Sequence, residues 1–553
     1  MEEDVIYVSH PLIKDKSLEE RSYQGEIVRA CLRAPTLVVL ATGLGKTAIA
    51  ARVIAERLHK YPNTRALFMA PTRPLVEQHK MFLRRVMKID LDKIVSLSGH
   101  ISPEDRTSIW SRAKIVVATP QVVLNDLERE IVPLESYSVL VFDEAHRAVG
   151  DYPYVRIAKK YWEIAWYPLV LGLTASPGNR IEDLIEICTN LGVYNIEFKS
   201  ETDPEVRKYL FEKEIKIIRV KMPQKALIAR KLLVDALGTI LSILKSMKII
   251  SSESPNRVSI RELTEKMEMI SEAEVDQSTK SRALMYIGMA LKLHHAIEVL
   301  DRHGPGFARE YLREAIFKKG TRTSAVLTND ERILLAYNML KDLGNPKVEK
   351  VVEIVDDALN KRGVPKIIVF VEYRDVAKQL EDLINQKVPN AKARIFIGQG
   401  LRKGVMMSQK EQISVIESFR RGEYNVLVAT SVAEEGLDIP ETDLIIFYEA
   451  IPSKVRTIQR KGRTGRHRKG EIVILVSYTE TGTTRDQIYF YVTSGAEKKI
   501  KEMIRRAIPK IKEKNRKIFT EFLERNGLIF QKKRMTRGKV TLFDLYEGFG
   551  DDS

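Results

Sequence analysis

The chain has 553 residues, 44% of them hydrophobic and 30% charged, with a formal net charge of +17. At roughly 150 residues per domain this predicts about three or four globular units and excludes a low-complexity or fibrous chain. The basic excess favours a polyanionic partner over a merely soluble basic surface, and two cysteines, Cys31 and Cys188, without metal-ligand spacing exclude a disulfide framework or a zinc site.

The first residues, Met1-Glu2-Glu3-Asp4, are acidic and carry no apolar signal core. No apolar run reads as long enough to span a bilayer, so a cytoplasmic protein without membrane contact is expected. Short apolar runs then alternate with helical patterns over residues 1–204. The predicted strands are Thr36–Leu40, Ala66–Ala70, Ile94–Leu97, Ile115–Ala118, Val139–Phe142 and Leu169–Leu173. Runs of this length and apolarity suit strands buried on both faces of a parallel sheet. Residues 205–345 change character: Leu233, Leu237, Ile240, Leu241 and Leu244 make one helical stripe, and Ile333, Ala336, Tyr337 and Leu340 another. A helical insert domain is predicted there, because the segment is too long for a connecting loop. The strand pattern restarts with Ile367–Val371, Ala393–Ile397, Val426–Ala429, Leu444–Tyr448 and Ile472–Val476, giving a second α/β domain over 346–494. Residues 495–553 form a basic tail whose helix either packs back on the body or offers its lysines to nucleic acid.

Three segments carry chemistry. Thr42-Gly43-Leu44-Gly45-Lys46-Thr47 follows a strand and opens a helix, the setting a phosphate loop requires. Its glycines let backbone N–H groups converge on phosphate oxygens, Lys46 is placed for the β- and γ-phosphates, and Thr47 for Mg2+. The pattern departs from the usual one at Leu40, where glycine is expected. Asp143-Glu144-Ala145-His146 ends the fifth run; Asp143 suits Mg2+ and Glu144 the attacking water. His146 is expected to link that site to the cleft between domains. Gln459–Arg466 offers Arg463 and Arg466 between thin glycines; such guanidiniums reach a triphosphate on another domain, or the loop binds nucleic acid directly.

Taken in order, Gln24, Gly43–Thr47, Ala70–Leu75, Asp143–His146, Thr174-Ala175-Ser176, Thr430–Asp438 and Gln459–Arg466 resemble the motifs of superfamily 2 helicases over most of residues 15–490. The Pro71–Gln78 segment, the Asp-Glu-Ala-His box, Ala429–Pro440 and the helical insert are similar to the Hef/FANCM family. The resemblance implies α/β architecture: two tandem RecA-like parallel-sheet motor domains with a helical insert domain between them. It implies ATP and Mg2+ as cofactors and branched or forked DNA as partner, with unwinding or branch migration in replication-fork repair. A second reading is an RNA-remodelling ATPase, stimulated by double-stranded RNA, on the same motor.

By the same resemblance Gln24 reads adenine with Arg21 in support, and Gly436, Asp438 and Gln459 lie near the ribose and phosphates. Thr174 and Ser176 couple hydrolysis to domain movement. Arg73, Gly99, Thr119 and Thr430 contact the nucleic-acid backbone, with Phe370 and Gln399 near the same track. The insert, with Lys225, Arg230, Lys231, Lys292 and Arg302 among its cations, is expected to recognise the branch. No Glu-Arg-Lys-x-x-x-Asp nuclease motif occurs, so nuclease activity is not expected. The segment Val540–Tyr546 faintly resembles a sliding-clamp-binding peptide.

Overall fold

The apolar runs become strands because each is too short to bury a helical stripe and apolar enough to be covered on both faces. The computed structural model describes residues 6–528 except 98–101, 176, 179, 210–212, 274–275, 319, 364, 399–406, 431–439, 441, 451–469, 480–483, 485–486 and 488–495. In the first lobe the strands are β1 (Thr36–Leu40), β2 (Arg65–Met69), β3 (Ile94–Leu97), β4 (Ile115–Ala118), β5 (Tyr137–Asp143), β6 (Val170–Thr174) and β7 (Asn195–Lys199). They form a parallel sheet in the order β3-β4-β2-β5-β6-β1-β7. The helices of this lobe are α1 (Ser22–Arg33) before the first strand, α2 (Lys46–Lys60), α3 (Arg73–Val86), α4 (Pro103–Arg112), α5 (Pro120–Glu128), α6 (Pro153–Ile164) and α7 (Ile181–Leu191) between strands, and the short α8 (Pro204–Arg207) after the last.

The next strand, β8 (Lys213–Lys221), lies within the range expected to be helical insert, yet it belongs to the second sheet. It pairs in parallel with β13 (Gly470–Tyr478) from Lys213–Gly470 to Lys221–Tyr478. Its polar alternation, Lys-Glu-Ile-Lys-Ile-Ile-Arg-Val-Lys, is that of an edge strand, which is why no buried run announced it. The same sheet contains β9 (Ile367–Phe370), β10 (Ala393–Phe396), β11 (Val426–Ala429) and β12 (Leu444–Phe447), in the order β10-β11-β9-β12-β13-β8.

Between β8 and β9 the chain builds the insert from α9 (Gln224–Ser246), α10 (Ile260–Glu272), α11 (Gln277–His303), α12 (Pro305–Leu312), α13 (Arg322–Thr328) and α14 (Glu331–Met339). Leu233, Leu237, Leu241 and Leu244 of α9 are buried against Ile287, Leu293 and Ile297 of α11 and Ile333 and Ala336 of α14. By length and composition α11 is apolar enough to cross a membrane, contrary to the expectation that no such run exists. More than half of its apolar window is buried inside the protein, as the central helix of the bundle.

The base of α11 is locked into the second lobe by buried charge. Arg302 is 3% exposed, lies 2.5 Å from Glu372 and 3.1 Å from Glu298, and donates to the Ala450 carbonyl. The Lys347 ammonium donates to the Arg302 carbonyl at 3.1 Å, and the Tyr448 hydroxyl to the His303 carbonyl at 3.0 Å. Inside the bundle Arg230 grips Asp301 with two bonds of 2.6 and 3.0 Å. Arg302 and Arg230 are therefore structural cations, and the half-buried Lys292 donates to Thr323 and Ser324.

The second lobe is completed by α15 (Pro346–Asp356), α16 (Arg374–Lys387) and α17 (Gln409–Arg421). The basic tail then returns to the first lobe as α18 (Ala496–Lys514) and α19 (Arg516–Arg525). Ile500, Ile504, Ala507 and Ile511, one face of α18, join the first lobe's core. Phe519 stacks on Tyr194 with centroids 3.8 Å apart, and the Asn515 amide donates to the carbonyls of Cys188 and Val193. The outer face keeps Lys498, Lys501, Arg505, Arg506, Lys510 and Lys514 exposed. Residues 529–553, with the clamp-like peptide, lie outside the described residues.

Candidate nucleotide site

The loop between β1 and α2 turns through two left-handed glycines, Gly43 at φ 94° and Gly45 at φ 82°. Only glycine adopts such angles without strain, and the turn leaves the positive end of α2 facing the loop. Gly45 is fixed for a second reason: a Cβ there would sit 2.3 Å from Gln24 Nε2. The Gln24 amide and the Tyr23 hydroxyl both donate to the Leu44 carbonyl, at 3.2 and 2.8 Å, so α1 holds the loop from behind. Lys46 Nζ donates to the Leu40 carbonyl at 2.9 Å, which keeps the ammonium at the carboxyl end of β1. Arg21 pairs with Glu19 at 2.8 Å and lies 5.4 Å from the Tyr209 ring.

β5 delivers Asp143 next to this loop. Tyr154, fully buried, donates to the Asp143 carbonyl at 2.7 Å and fixes the strand end. Burial pushes the Asp143 carboxyl up, but the hydrogen bond from His79 and the nearby Lys46 cation outweigh it and hold the group below its ordinary value. Asp143 is therefore an anion held near the Lys46 cation. Glu144 follows in the left-handed region at φ 49°, ψ 49°. A non-glycine residue there is strained, as is common where a side chain must be aimed. Its Oε2 lies 3.4 Å from His146 Nδ1, which in turn is 3.2 Å from the Thr174 hydroxyl at the end of β6. His146 thus joins the acidic pair to the Thr174 segment.

His79 lies one residue past the Pro71–Gln78 motif, in the buried stripe Val76, His79, Leu83, Val86 of α3, where a histidine reads as core. Its ring Nε2 lies 2.9 Å from Asp143 Oδ2 and its Nδ1 3.5 Å from Thr47 Oγ1. A polar side chain interrupting an apolar stripe was the available signal, because burial of such a group demands partners.

Thr47 and His79 line a cleft of about 1500 Å3 whose opposite wall is Lys410, Ile413, Glu417 and Arg420 of α17 in the second lobe. Thr47 is the residue by which the loop reaches this cleft. Arg73, at the first turn of α3, lines the same cleft. Thr119 caps α5, and Thr430, 5% exposed, follows β11. Phe370 is corrected: it is fully buried in β9 and packs on Phe447, so its side chain is core and cannot meet nucleic acid. Gly99, Ser176, Gln399, Gly436, Asp438, Gln459, Arg463 and Arg466 lie outside the described residues.

Among the described residues no three His, Cys, Asp or Glu side chains converge to cage a metal. The Thr47 hydroxyl and Asp143 carboxylate are hard oxygen donors, an incomplete set that suits Mg2+, which takes one or two protein ligands and draws the rest from phosphates and water.

The DEAD/DEAH box helicase family matches residues 21–184, a helical bundle described for a putative ATP-dependent RNA helicase matches 227–342, and the helicase conserved C-terminal domain matches 346–468. The chain is 39% identical over 503 residues to a putative ATP-dependent RNA helicase of Methanocaldococcus jannaschii, covering 90% of this chain and 62% of that one. It is 30% identical to the DEAD-box ATP-dependent DNA helicase Fancm of Drosophila melanogaster, covering 91% of this chain and 36% of the other. It therefore spans less than two thirds of these curated relatives. The crystal structure of the Pyrococcus furiosus Hef helicase domain matches with a TM-score of 0.67 and 41% identity, over 85% of this chain and 97% of that one. The chain accordingly belongs to the DEAD/DEAH-box helicases, a family of ATP-hydrolysing enzymes, in the branch that includes the Hef helicase domain.

Proposed function

We propose that this chain is an ATP-dependent DNA helicase or translocase that unwinds or branch-migrates forked and junction DNA in replication-fork repair. One observation supports the motor most: Thr47, joined through His79 to the Asp143 carboxylate, lines a cleft walled by the other lobe. A nucleotide at that seam ties its own hydrolysis to lobe closure. Lys46 binds the β- and γ-phosphates, and Gln24 with Arg21 meets the base. Thr47 and Asp143 hold Mg2+, which when bound offsets the phosphate charge. Glu144 orients the attacking water, and His146 passes its position to Thr174. Arg463 and Arg466 supply charge from the second lobe, with Gly436, Asp438 and Gln459 around the ribose and phosphates.

Arg73, Thr119 and Thr430, with Gly99 and Gln399, grip the nucleic-acid backbone; Ser176 assists the coupling of Thr174. Backbone contacts suit a motor that must accept any sequence. The DNA reading leans on relatives named as DNA helicases, among them mph1 of Neurospora crassa, 34% identical over 82% of this chain. An RNA substrate is the second reading, because the Methanocaldococcus jannaschii relative and the matched bundle carry that description. The deciding experiment compares ATP hydrolysis stimulated by forked DNA, single-stranded DNA and double-stranded RNA. Strongest stimulation by the fork is expected; strongest stimulation by double-stranded RNA overturns the DNA reading. Docking of a sliding clamp on residues 540–546 is tested separately by truncation at 528.

A further inference from the structure

His79 has no part in the motif-derived mechanism, yet it stands between two of its residues. It is 4% exposed, and α3 carries it against the Phe68 ring, centroids 4.4 Å apart. We propose that His79 is a positioning residue for the magnesium-nucleotide set, holding the Asp143 carboxylate and the Thr47 hydroxyl in register with each other. The inference rests on the nucleotide reading of the loop given above.

A neutral imidazole has one N–H and one bare nitrogen. Asp143 Oδ2, an anion at 2.9 Å, requires the proton on Nε2. That leaves Nδ1 as an acceptor for the Thr47 hydroxyl proton, 3.5 Å away at the outer limit of a bond. The direction matters. A hydroxyl that gives its proton to Nδ1 keeps its lone pairs for a cation. A carboxylate that receives Nε2–H on Oδ2 keeps Oδ1 outside that bond. The reverse tautomer would set a bare nitrogen against the carboxylate. A purely packing role needs only a ring of this size; it does not need two opposed polar partners, both of them oxygen donors of the candidate Mg2+ set. Groups that orient a metal's ligands from behind in this way typically change metal affinity about 10–100-fold when removed.

Two variants of similar volume separate bonding from packing in the full chain. His79→Leu removes both bonds; His79→Gln retains a donor and an acceptor. Binding of a fluorescent ADP analogue is titrated with Mg2+ against an EDTA control, and thermal melts in EDTA without nucleotide report folding. In His79→Leu, metal-free ADP affinity should stay at the parent level, while the Mg2+ concentration that half-saturates the enhancement rises about 10–100-fold. His79→Gln should return it to within about threefold of the parent. If His79→Leu does not fold, His79→Asn, which keeps polarity but loses reach, should show the same rise. Parent-like Mg2+ dependence in the Leu or Asn variant, or equal impairment of Gln and Leu, overturns the proposal. Lys46→Ala is the control: unchanged ADP binding there overturns the phosphate-loop reading itself, whereas lost binding there with parent-like His79→Leu overturns the role of His79 alone.

Discussion

Both sheets present polar groups at the carboxyl ends of their strands, and the two lobes use them differently. In the first lobe Asp143 ends β5 near Lys46 of the loop before α2, Glu144 follows it, and Thr174 ends β6. In the second lobe Glu372 follows β9, and Tyr448, Glu449 and Ala450 follow β12, where Arg302 and His303 from the insert meet them. Strand ends of this kind are where open parallel sheets take ligands. In the second lobe the ends of β9 and β12 are covered by side chains of the insert, whereas among the described residues the ends of β5 and β6 in the first lobe are not. The insert is consequently anchored to the second lobe.

The largest effect should come from breaking the ligand-facing side. Lys46→Ala should lower ATP hydrolysis by at least about 10²–10³-fold, the loss expected when a positioned charge leaves a phosphoryl site. Nucleic-acid binding, measured by anisotropy, should stay near the parent value; undiminished turnover would refute the loop assignment. Breaking the filled side should cost stability. Arg302→Met leaves Glu372 and Glu298 without their buried cation, and about 3–5 kcal/mol should be lost, read as a lower thermal midpoint. The comparison sharpens on the insert's surface. Reversing the exposed Lys225, Lys231 and Lys248 to Glu should reduce preference for forked over plain duplex DNA several-fold and flatten its salt dependence. Equal loss on both substrates would count against the insert as a branch reader.

The smallest effect concerns pH. Burial first, then the charges of Arg302 and Lys347, hold the His303 imidazole well below its ordinary 6.5. As pH falls below 6.5 the unfolded chain takes up a proton that the folded chain refuses, so this contribution is full above 6.5 and declines below it. Thermal midpoints should fall between pH 7.5 and 5.5, with a limiting slope of about 1.4 kcal/mol per pH unit, and His303→Gln should flatten the curve. An unchanged curve would mean that His303 is protonated in the fold.

Strands such as Thr36–Leu40 and Ile115–Ala118 were legible because burial on both faces leaves an uninterrupted apolar run. β7 and β8 were not, because sheet-edge strands carry Asn195, Lys199 and the alternating charges of 213–221. The Gly43–Thr47 loop was legible because backbone geometry restricts the residues that can form it. His79 was not, because its partners Thr47 and Asp143 lie 32 and 64 residues away, and only packing of α3 against β5 and the loop brings them together. Phe370 is the opposite case: it lies near a motif in sequence, but strand burial removes its side chain from the surface.

The position of β8 also changes how the chain should be divided. Because residues 213–221 hydrogen-bond along the whole of 470–478, the second lobe is discontinuous: it begins before the helical bundle and resumes after it. The bundle is thus an excursion from within that lobe rather than a bridge joining two finished ones. A fragment started at 346 would leave β13 an open edge prone to self-association, whereas joining 213–221 to 346–478 by a short linker would restore the missing strand.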